Sequence, residues 1–311
     1  MNGVVIVDKP AGITSHDAVA RVRRLLGRRR AGHTGTLDPM ATGVLPVCVG
    51  EATKLASFLA GDDKVYEVTM RLGVRTDTQD MTGRVLAEQE PRVSGEEIRA
   101  ALASFVGTIA QVPPQYSAVK VRGRALYQWA RRGVRMEAPE RLVEIRDIRL
   151  RSIEMPRVRF DVTCSKGTYV RTLCADMGER LGCGAALERL RRTASGIFRQ
   201  EDAVAIEGDS DAAIRQRLEQ GLIPPVRALA GIRDIAVPPR FEERLMKGRQ
   251  PGAEDLAGLQ IPSLAAGDVV MFTSGSGRLV ALARMTVSTA EIPMLGARDR
   301  VARILRVFID P

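Results

Sequence analysis

The densest concentration of turn-forming and hydrogen-bonding residues runs from Gly32 to Val47, GHTGTLDPMATGVLPV. Its one carboxylate, Asp38, lies among Gly32, Gly35 and Gly43 and directly before Pro39. Glycine permits close backbone approach and proline fixes the direction in which the chain leaves, so this segment can present a carboxylate at the wall of a cleft. Taken alone, Leu37-Asp38-Pro39 reads equally well as a turn in which the aspartate caps the following segment. The glycines make neither a phosphate loop nor a dinucleotide site, because Gly-Lys-Ser/Thr and the compact three-glycine spacing between strand and helix are both missing. A serine nucleophile elbow is missing as well. What remains is a carboxylate nucleophile or base with no metal or cofactor motif beside it, and hence a reaction that side chains and substrate complete alone.

Cys48, Cys164, Cys174 and Cys183 are too widely spaced for a zinc knuckle or ribbon, the shortest separations being nine and ten positions. With His16 and His33 the only imidazoles, a histidine-based metal site is poorly supported, and the cysteines read as reduced, buried, small hydrophobes. The chain carries 47 basic and 37 acidic residues, a net charge of +10. Lys120 to Arg199 holds 19 basic and 9 acidic residues, so this one stretch accounts for the whole excess. A polyanion is the natural partner, although charge alone leaves nucleic acid, acidic lipid and simple solubility open. Only six of the basic residues are lysine, which fits bidentate phosphate recognition by arginine or the codon usage of a GC-rich genome.

The elements that must position these groups follow from hydrophobic period and capping signals. Val4 to Val7 reads as a strand, followed by a helix over Ser15 to Leu26 with Ala18, Val22, Leu25 and Leu26 on one face and Thr14 or Ser15 as its cap. An apolar run, Val44 to Val49, precedes a short helix over Ala52 to Leu59 and an alternating strand from Lys64 to Leu72. Ser94 with Glu97 is a capping-box signature for a helix bearing Ile98, Leu102 and Phe105. Two strands alternating apolar and basic residues fill Arg141 to Cys164, and a helix over Thr168 to Leu181 ends at Gly182. Glu201 to Gln220, with six acidic and two basic residues, marks a transition out of the main domain. Beyond Ile235, strand candidates at Asp268 to Phe272, Leu279 to Arg284 and Val301 to Phe308 form a small β-rich module. At 311 residues the chain has room for about two domains. It contains no apolar run long enough for a bilayer span and opens without a secretion signal, so a cytoplasmic location is expected.

The ordered motifs resemble the bacterial tRNA pseudouridine-55 synthases of the TruB type. The likeness begins at Asn2-Gly3-Val4 and Asp8-Lys9-Pro10, then covers Gly32 to Pro46, Gly50 to Lys54, Lys64-Val65-Tyr66, Leu72-Gly73 and Arg75 to Thr78. It continues through Pro113 to Ala118, Cys164 to Arg171 and Leu190-Arg191-Arg192. The resemblance implies an α+β pseudouridine synthase domain with a mixed central sheet over residues 1–232, and a small β-rich PUA-like barrel that binds RNA over 233–311. It implies isomerisation of the T-loop uridine at position 55 of tRNA: the N1–C1′ bond breaks, the uracil rotates, and C5 joins C1′. No redox change or group donor enters, so no cofactor or metal is expected.

By the same resemblance Asp38 is the catalytic carboxylate, acting as nucleophile or as the base that opens a glycal route, and Arg171 is its paired cation. Tyr66 would stack on the flipped uracil with its hydroxyl near the C5 proton. His33 would support the everted T-loop bases and Tyr169 would orient the site. Leu190 would lie against the target base, Arg191 and Arg192 would hold phosphates, and Lys9 would serve the RNA backbone or the loop. Asp77 and Asp80 sit in a loop and read first as solvated residues, with RNA positioning as the alternative. The expected partner is the tRNA T-arm, with neither membrane nor obligate protein partner and a monomeric chain. Two rivals remain: a non-catalytic RNA chaperone, and an RNA uracil methyltransferase using Cys48 or Cys164 as the C6 nucleophile.

Overall fold

The computed structural model describes residues 2–309; Met1 and the last two positions of the expected 233–311 unit lie outside the described residues. A ten-stranded mixed sheet dominates the chain. Its path runs Val204–Ala205, Gly3–Lys9, Thr42–Val49, Ala185–Ser195, Lys64–Leu72, Arg157–Cys164, Arg141–Glu154, Gly107–Gln111. Two pairings are parallel, Gly3–Lys9 with Val204–Ala205 and Thr42–Val49 with Ala185–Ser195, and the others along the path are antiparallel. Thr42–Val49 is apolar and buried on both faces, while Lys64–Leu72 alternates along its whole length.

Helices form where caps and apolar stripes coincide. Thr14 accepts the backbone N–H of Asp17 while Asp17 returns a bond to the Thr14 N–H, and the Ser15–Leu25 helix then buries Ala18, Val22 and Leu25. Ser94 and Glu97 make the same reciprocal cap for Gly95–Ser104, which buries Ile98 and Leu102. The expected helix over Ala52 to Leu59 divides into a 3-10 turn, Gly50–Leu55, and one α-turn, Ala56–Leu59. The expected Thr168 helix begins at Val170 and ends at Arg180, with Gly182 left-handed at φ 73°.

The acidic Glu201 to Gln220 stretch does not leave the main domain, contrary to expectation. Val204–Ala205 adds a strand to the main sheet, and Ile206, Ile214 and Leu218 join its core. Its charge belongs to the outer face: the Asp211–Gln220 helix is amphipathic, and Asp211 pairs with Arg21 across to the Ser15–Leu25 helix.

The C-terminal β-rich unit is a four-stranded sheet in the order Arg233–Val237, Val269–Ser274, Leu279–Met285, Ala302–Val307. Among the described residues its two edge strands do not pair with each other, so the expected barrel is an open sheet. Phe241 and Leu245 of the Pro239–Met246 helix cover one face, inside a core of its own. The unit is also joined to the main sheet by a third apolar cluster, in which Met271, Leu279, Leu282 and Phe308 meet Val4, Ile6, Leu55 and Phe198. No helix among the described residues is long and apolar enough to cross a membrane.

Gly43 shows how tightly the Asp38 segment is drawn onto this frame. It has φ +100°, and a Cβ there would lie 2.2 Å from the carbonyl oxygen of Arg192 on the adjacent parallel strand. Gly43→Ala should therefore lower stability by about 2–4 kcal/mol through strain and overpacking. A shifted denaturant midpoint in equilibrium unfolding would register the loss, and an unchanged midpoint would show that the strands can part there.

Candidate active site

Five strands and one helix converge on a cleft of 1190 Å³ whose wall includes Asp38, Asp80, Tyr116, Arg171 and Leu190. Its centre is Arg171, in the first turn of the Val170–Arg180 helix and 3% exposed. The guanidinium donates from Nε to Asp38 Oδ2 at 2.8 Å and from one terminal nitrogen to Asp38 Oδ1 at 3.2 Å. That same nitrogen donates to the Tyr116 carbonyl at 2.9 Å, and the other donates to the Thr78 carbonyl at 3.0 Å. A planar fork so engaged fixes the carboxylate in plane as well as in position. The Asp38 side chain is one-third exposed, held from the buried side and open toward the cleft.

Asp80 completes this arrangement. It was expected to be solvated, yet it is 4% exposed, because the loop folds over it and supplies the polar partners that burial demands. Its Oδ1 accepts from the Thr78 hydroxyl at 2.8 Å, from the Thr82 backbone N–H at 3.0 Å and from the Thr82 hydroxyl. Its Oδ2 lies 3.8 Å from Arg171 Nε. Asp77 is also structural, accepting the Arg84 N–H at 2.9 Å. The signal in the sequence is Thr78-x-Asp80-x-Thr82, an acid flanked by hydroxyls at two-residue spacing, the pattern of a locally bonded turn.

The remaining expected residues fall into different places. Leu190 is on the cleft wall beside Val68, its cross-strand partner. Tyr66 is opposite Arg192 in the same ladder and 8% exposed, behind the wall and not part of it. Burial pushes its phenol up, and the Arg192 guanidinium beside it opposes the rise. Tyr169 is the N-cap residue of the Val170–Arg180 helix, with its backbone N–H donated to Gln111 Oε1 at 3.0 Å. His33 closes the Ala31–His33 strand with its ring edge-on to His16 at 5.4 Å. Burial first, then the charges of His16 and Arg192, hold the His33 imidazole low and so neutral.

Two expected phosphate or backbone ligands face inward. Arg192 is 1% exposed, and its guanidinium donates to the carbonyls of Val44 at 2.6 Å and Gly35 at 3.1 Å, clamping both ends of the Asp38 segment. No phosphate can reach it there, so that expectation is corrected. Lys9 is fully buried, and its ammonium donates to the carbonyls of Pro10, Ile13 and Pro39 at 2.7, 2.8 and 3.2 Å. Of its two expected roles this geometry fits the loop and not the RNA backbone. Arg191 reaches the cleft wall while its guanidinium lies bidentate on Asp8, with both contacts at 3.0 Å.

Cys48 and Cys164 are buried, and burial pushes their thiols up to about 12 and about 11, away from the thiolate that attack on C6 would require. The methyltransferase reading loses its nucleophile. Among the described residues no group of three or more His, Cys, Asp or Glu side chains is arranged to hold a metal ion.

Residues 23–170 match the model of the TruB family pseudouridylate synthase N-terminal domain, and 171–229 match the tRNA pseudouridylate synthase B C-terminal domain. The chain is 48% identical over 310 residues to the tRNA pseudouridine synthase B of Syntrophus aciditrophicus (strain SB), covering 100% of this chain and 99% of that protein. The chain belongs to the TruB family. A second TruB relative, the tRNA pseudouridine synthase B of Geobacter sulfurreducens, is 45% identical over 267 residues, covering 85% of this chain and 88% of its own. Among solved structures, a chain of the Cbf5-Nop10-Gar1 complex superposes with a TM-score of 0.75 at 28% identity, over 99% of this chain and 85% of that one. A chain of an H/ACA RNP bound to a substrate RNA containing 2'-deoxyuridine gives 0.73 at 25% identity, over 99% of this chain and 85% of that one. The α+β architecture of this TruB protein is thus shared with chains of both complexes.

Lys9 gives the site a pH signature. Burial is the main cause that lowers its ammonium from 10.5 to about 8, so the unfolded chain binds more protons than the folded one between those values. Stability contributed by this group accordingly rises as pH increases through that window. In Lys9→Met the gain should vanish, so the stability difference between wild type and variant should change by on the order of 2–3 kcal/mol from pH 7.5 to 10.5. Parallel denaturation curves at the two pH values measure it; a difference independent of pH would place the folded-state titration elsewhere.

Proposed function

We propose that this chain isomerises uridine 55 in the T-loop of tRNA to pseudouridine, with Asp38 as the catalytic carboxylate. The observation that carries the reading is the bidentate Arg171–Asp38 pair at an open cleft wall in a chain of the TruB family. The guanidinium fixes the direction of the carboxylate, while the exposed third of Asp38 meets the reacting nucleoside. Nucleophilic attack and base-promoted glycal formation both use that one negative charge. Leu190 and Val68 offer an apolar wall to an everted uracil, and Tyr66 stands behind that wall, two residues before Val68 on the same strand. His33 and Tyr169 are assigned to contacts with the T-loop outside the cleft lining, and the isomerisation needs no external donor or acceptor of electrons.

The same reading assigns residues 1–232 to catalysis and 233–311 to extending the hold on tRNA, with the chain acting as a monomer in the cytoplasm. The shared apolar cluster means that the second unit cannot simply be cut away: removing it would uncover Val4, Ile6 and Phe198.

Asp38→Asn keeps size and hydrogen-bonding capacity while removing charge and nucleophilicity. With enzyme saturating a T-arm hairpin labelled at uracil C5, release of the label in a single turnover should fall by on the order of 10⁴-fold or more. Binding of the hairpin should stay within a few-fold of wild type. Arg171→Ala should lose activity and stability together, since it strands Asp38 and Asp80 without their counter-charge. Near-normal turnover by Asp38→Asn would remove the aspartate from the chemistry, and label released without any mass-neutral isomer formed would remove the reaction itself.

A further inference from the structure

The cleft is electrically balanced although the chain carries +10 and the proposed substrate is a polyanion. Five arginines and five carboxylates line it. Arg171 is committed to Asp38 and Asp80 and Arg191 to Asp8, which lies outside the lining; the other lining carboxylates, Glu67, Asp161 and Glu188, share the floor with Arg151, Arg159 and Arg189. Asp161 accepts from Arg151, with Nε at 2.8 Å, and Glu188 takes Arg157 Nε on both oxygens at 3.0 Å. In both pairs the carboxylate is the better-buried partner: Asp161 is 19% exposed against 65% for Arg151, and Glu188 is 17% against 44% for Arg157. The acids are fixed by the sheet, and the arginines fold down onto them.

Arg189 is the one cleft-lining arginine with no ion-pair partner among the described residues, and the other free cations lie outside the lining. Between Lys120 and Arg141 there are seven basic and two acidic residues, and none of the seven lies within ion-pair distance of a carboxylate among the described residues. This segment follows Tyr116 of the cleft wall in the chain, so unpaired positive charge is concentrated outside the lining while four of the five arginines within it are paired.

Building on the RNA reading above, we propose that Asp161 and Glu188 are specificity-determining residues that hold the cleft floor at zero net charge. A phosphodiester laid along the floor must share Arg151 with a fixed carboxylate and meets like-charge repulsion from Asp161 and Glu188 at close range. A neutral uracil entering from a backbone held at the rim meets none. The floor thereby admits an everted base and turns away a continuous backbone, which separates a distorted loop from a regular duplex by electrostatics as well as by shape.

The test compares binding of a T-arm hairpin and of a fully paired RNA duplex of equal length across a salt series. Asp161→Asn combined with Glu188→Gln should tighten duplex binding roughly tenfold and make its log affinity against log salt steeper by about 0.7–0.9 for each arginine released. Hairpin binding should gain less, so discrimination narrows. The charge-neutral pair Arg151→Gln with Asp161→Asn should discriminate as wild type does, which separates net charge from damaged packing. Unchanged duplex affinity and slope, equal gains for both RNAs, or a charge-neutral pair as indiscriminate as Asp161→Asn alone would each overturn the proposal. Wild-type protein that binds and isomerises the hairpin while the variants keep its discrimination refutes the charge filter only; wild-type protein that does neither refutes the RNA reading beneath it.

Discussion

Everything at the centre of this molecule depends on one buried guanidinium. Arg171 sits in the first turn of a helix, where the dipole disfavours a cation, and it is almost wholly removed from water. Such a charge is tolerable only when every donor is met, and the chain meets them with Asp38, Thr78 and Tyr116, three segments distant in sequence. The constraint works in both directions. Because Arg171 must be satisfied, the loops bearing Asp38, Asp80 and Tyr116 have one arrangement, and because they have one arrangement, the carboxylate meets the cleft in a fixed orientation.

A second layer of cations holds the Asp38 segment without any carboxylate in contact. Lys9 and Arg192 donate to main-chain carbonyls at Pro39, Gly35 and Val44, on both flanks of Asp38. Lys64 does the same one strand away, donating to the Ala60 carbonyl at 2.8 Å, and burial lowers its ammonium too. Charged donors make stronger bonds to carbonyls than neutral ones, which suits a glycine-rich segment with little side-chain packing of its own. The desolvation of three cations is the counterpart of that rigidity.

Much of this was legible in the sequence. The helix cap at Thr14, one of two candidates, the capping box at Ser94, the alternation of Lys64 to Leu72 and the apolar run before Gly50 follow from local rules and reappear in the fold. Asp38 and Arg171 were identifiable because the motifs carrying them are dense. What sequence could not convey was direction. Adjacent arginines such as Arg191 and Arg192 look alike in a string, yet strand alternation sends one to the cleft wall and the other into the interior. Asp80 was hidden for a similar reason, since a polar loop is read as solvated until something folds over it. The acidic stretch after Glu201 was misread because its charge marks the outer face of a helix whose inner face carries Ile214 and Leu218.

The strand Gly3–Lys9 lies between Thr42–Val49 and Val204–Ala205, and Val4 exchanges backbone bonds with Ile223. Its back also receives Met271, Leu282 and Phe308 of the C-terminal sheet. An early segment of the chain is therefore completed only by late ones, and closing so long a loop is slow relative to forming local helices. During synthesis on a ribosome, one hydrogen-bonding edge of an apolar strand stays open until some two hundred further residues have emerged, so the nascent chain carries an exposed β edge that invites chaperone capture.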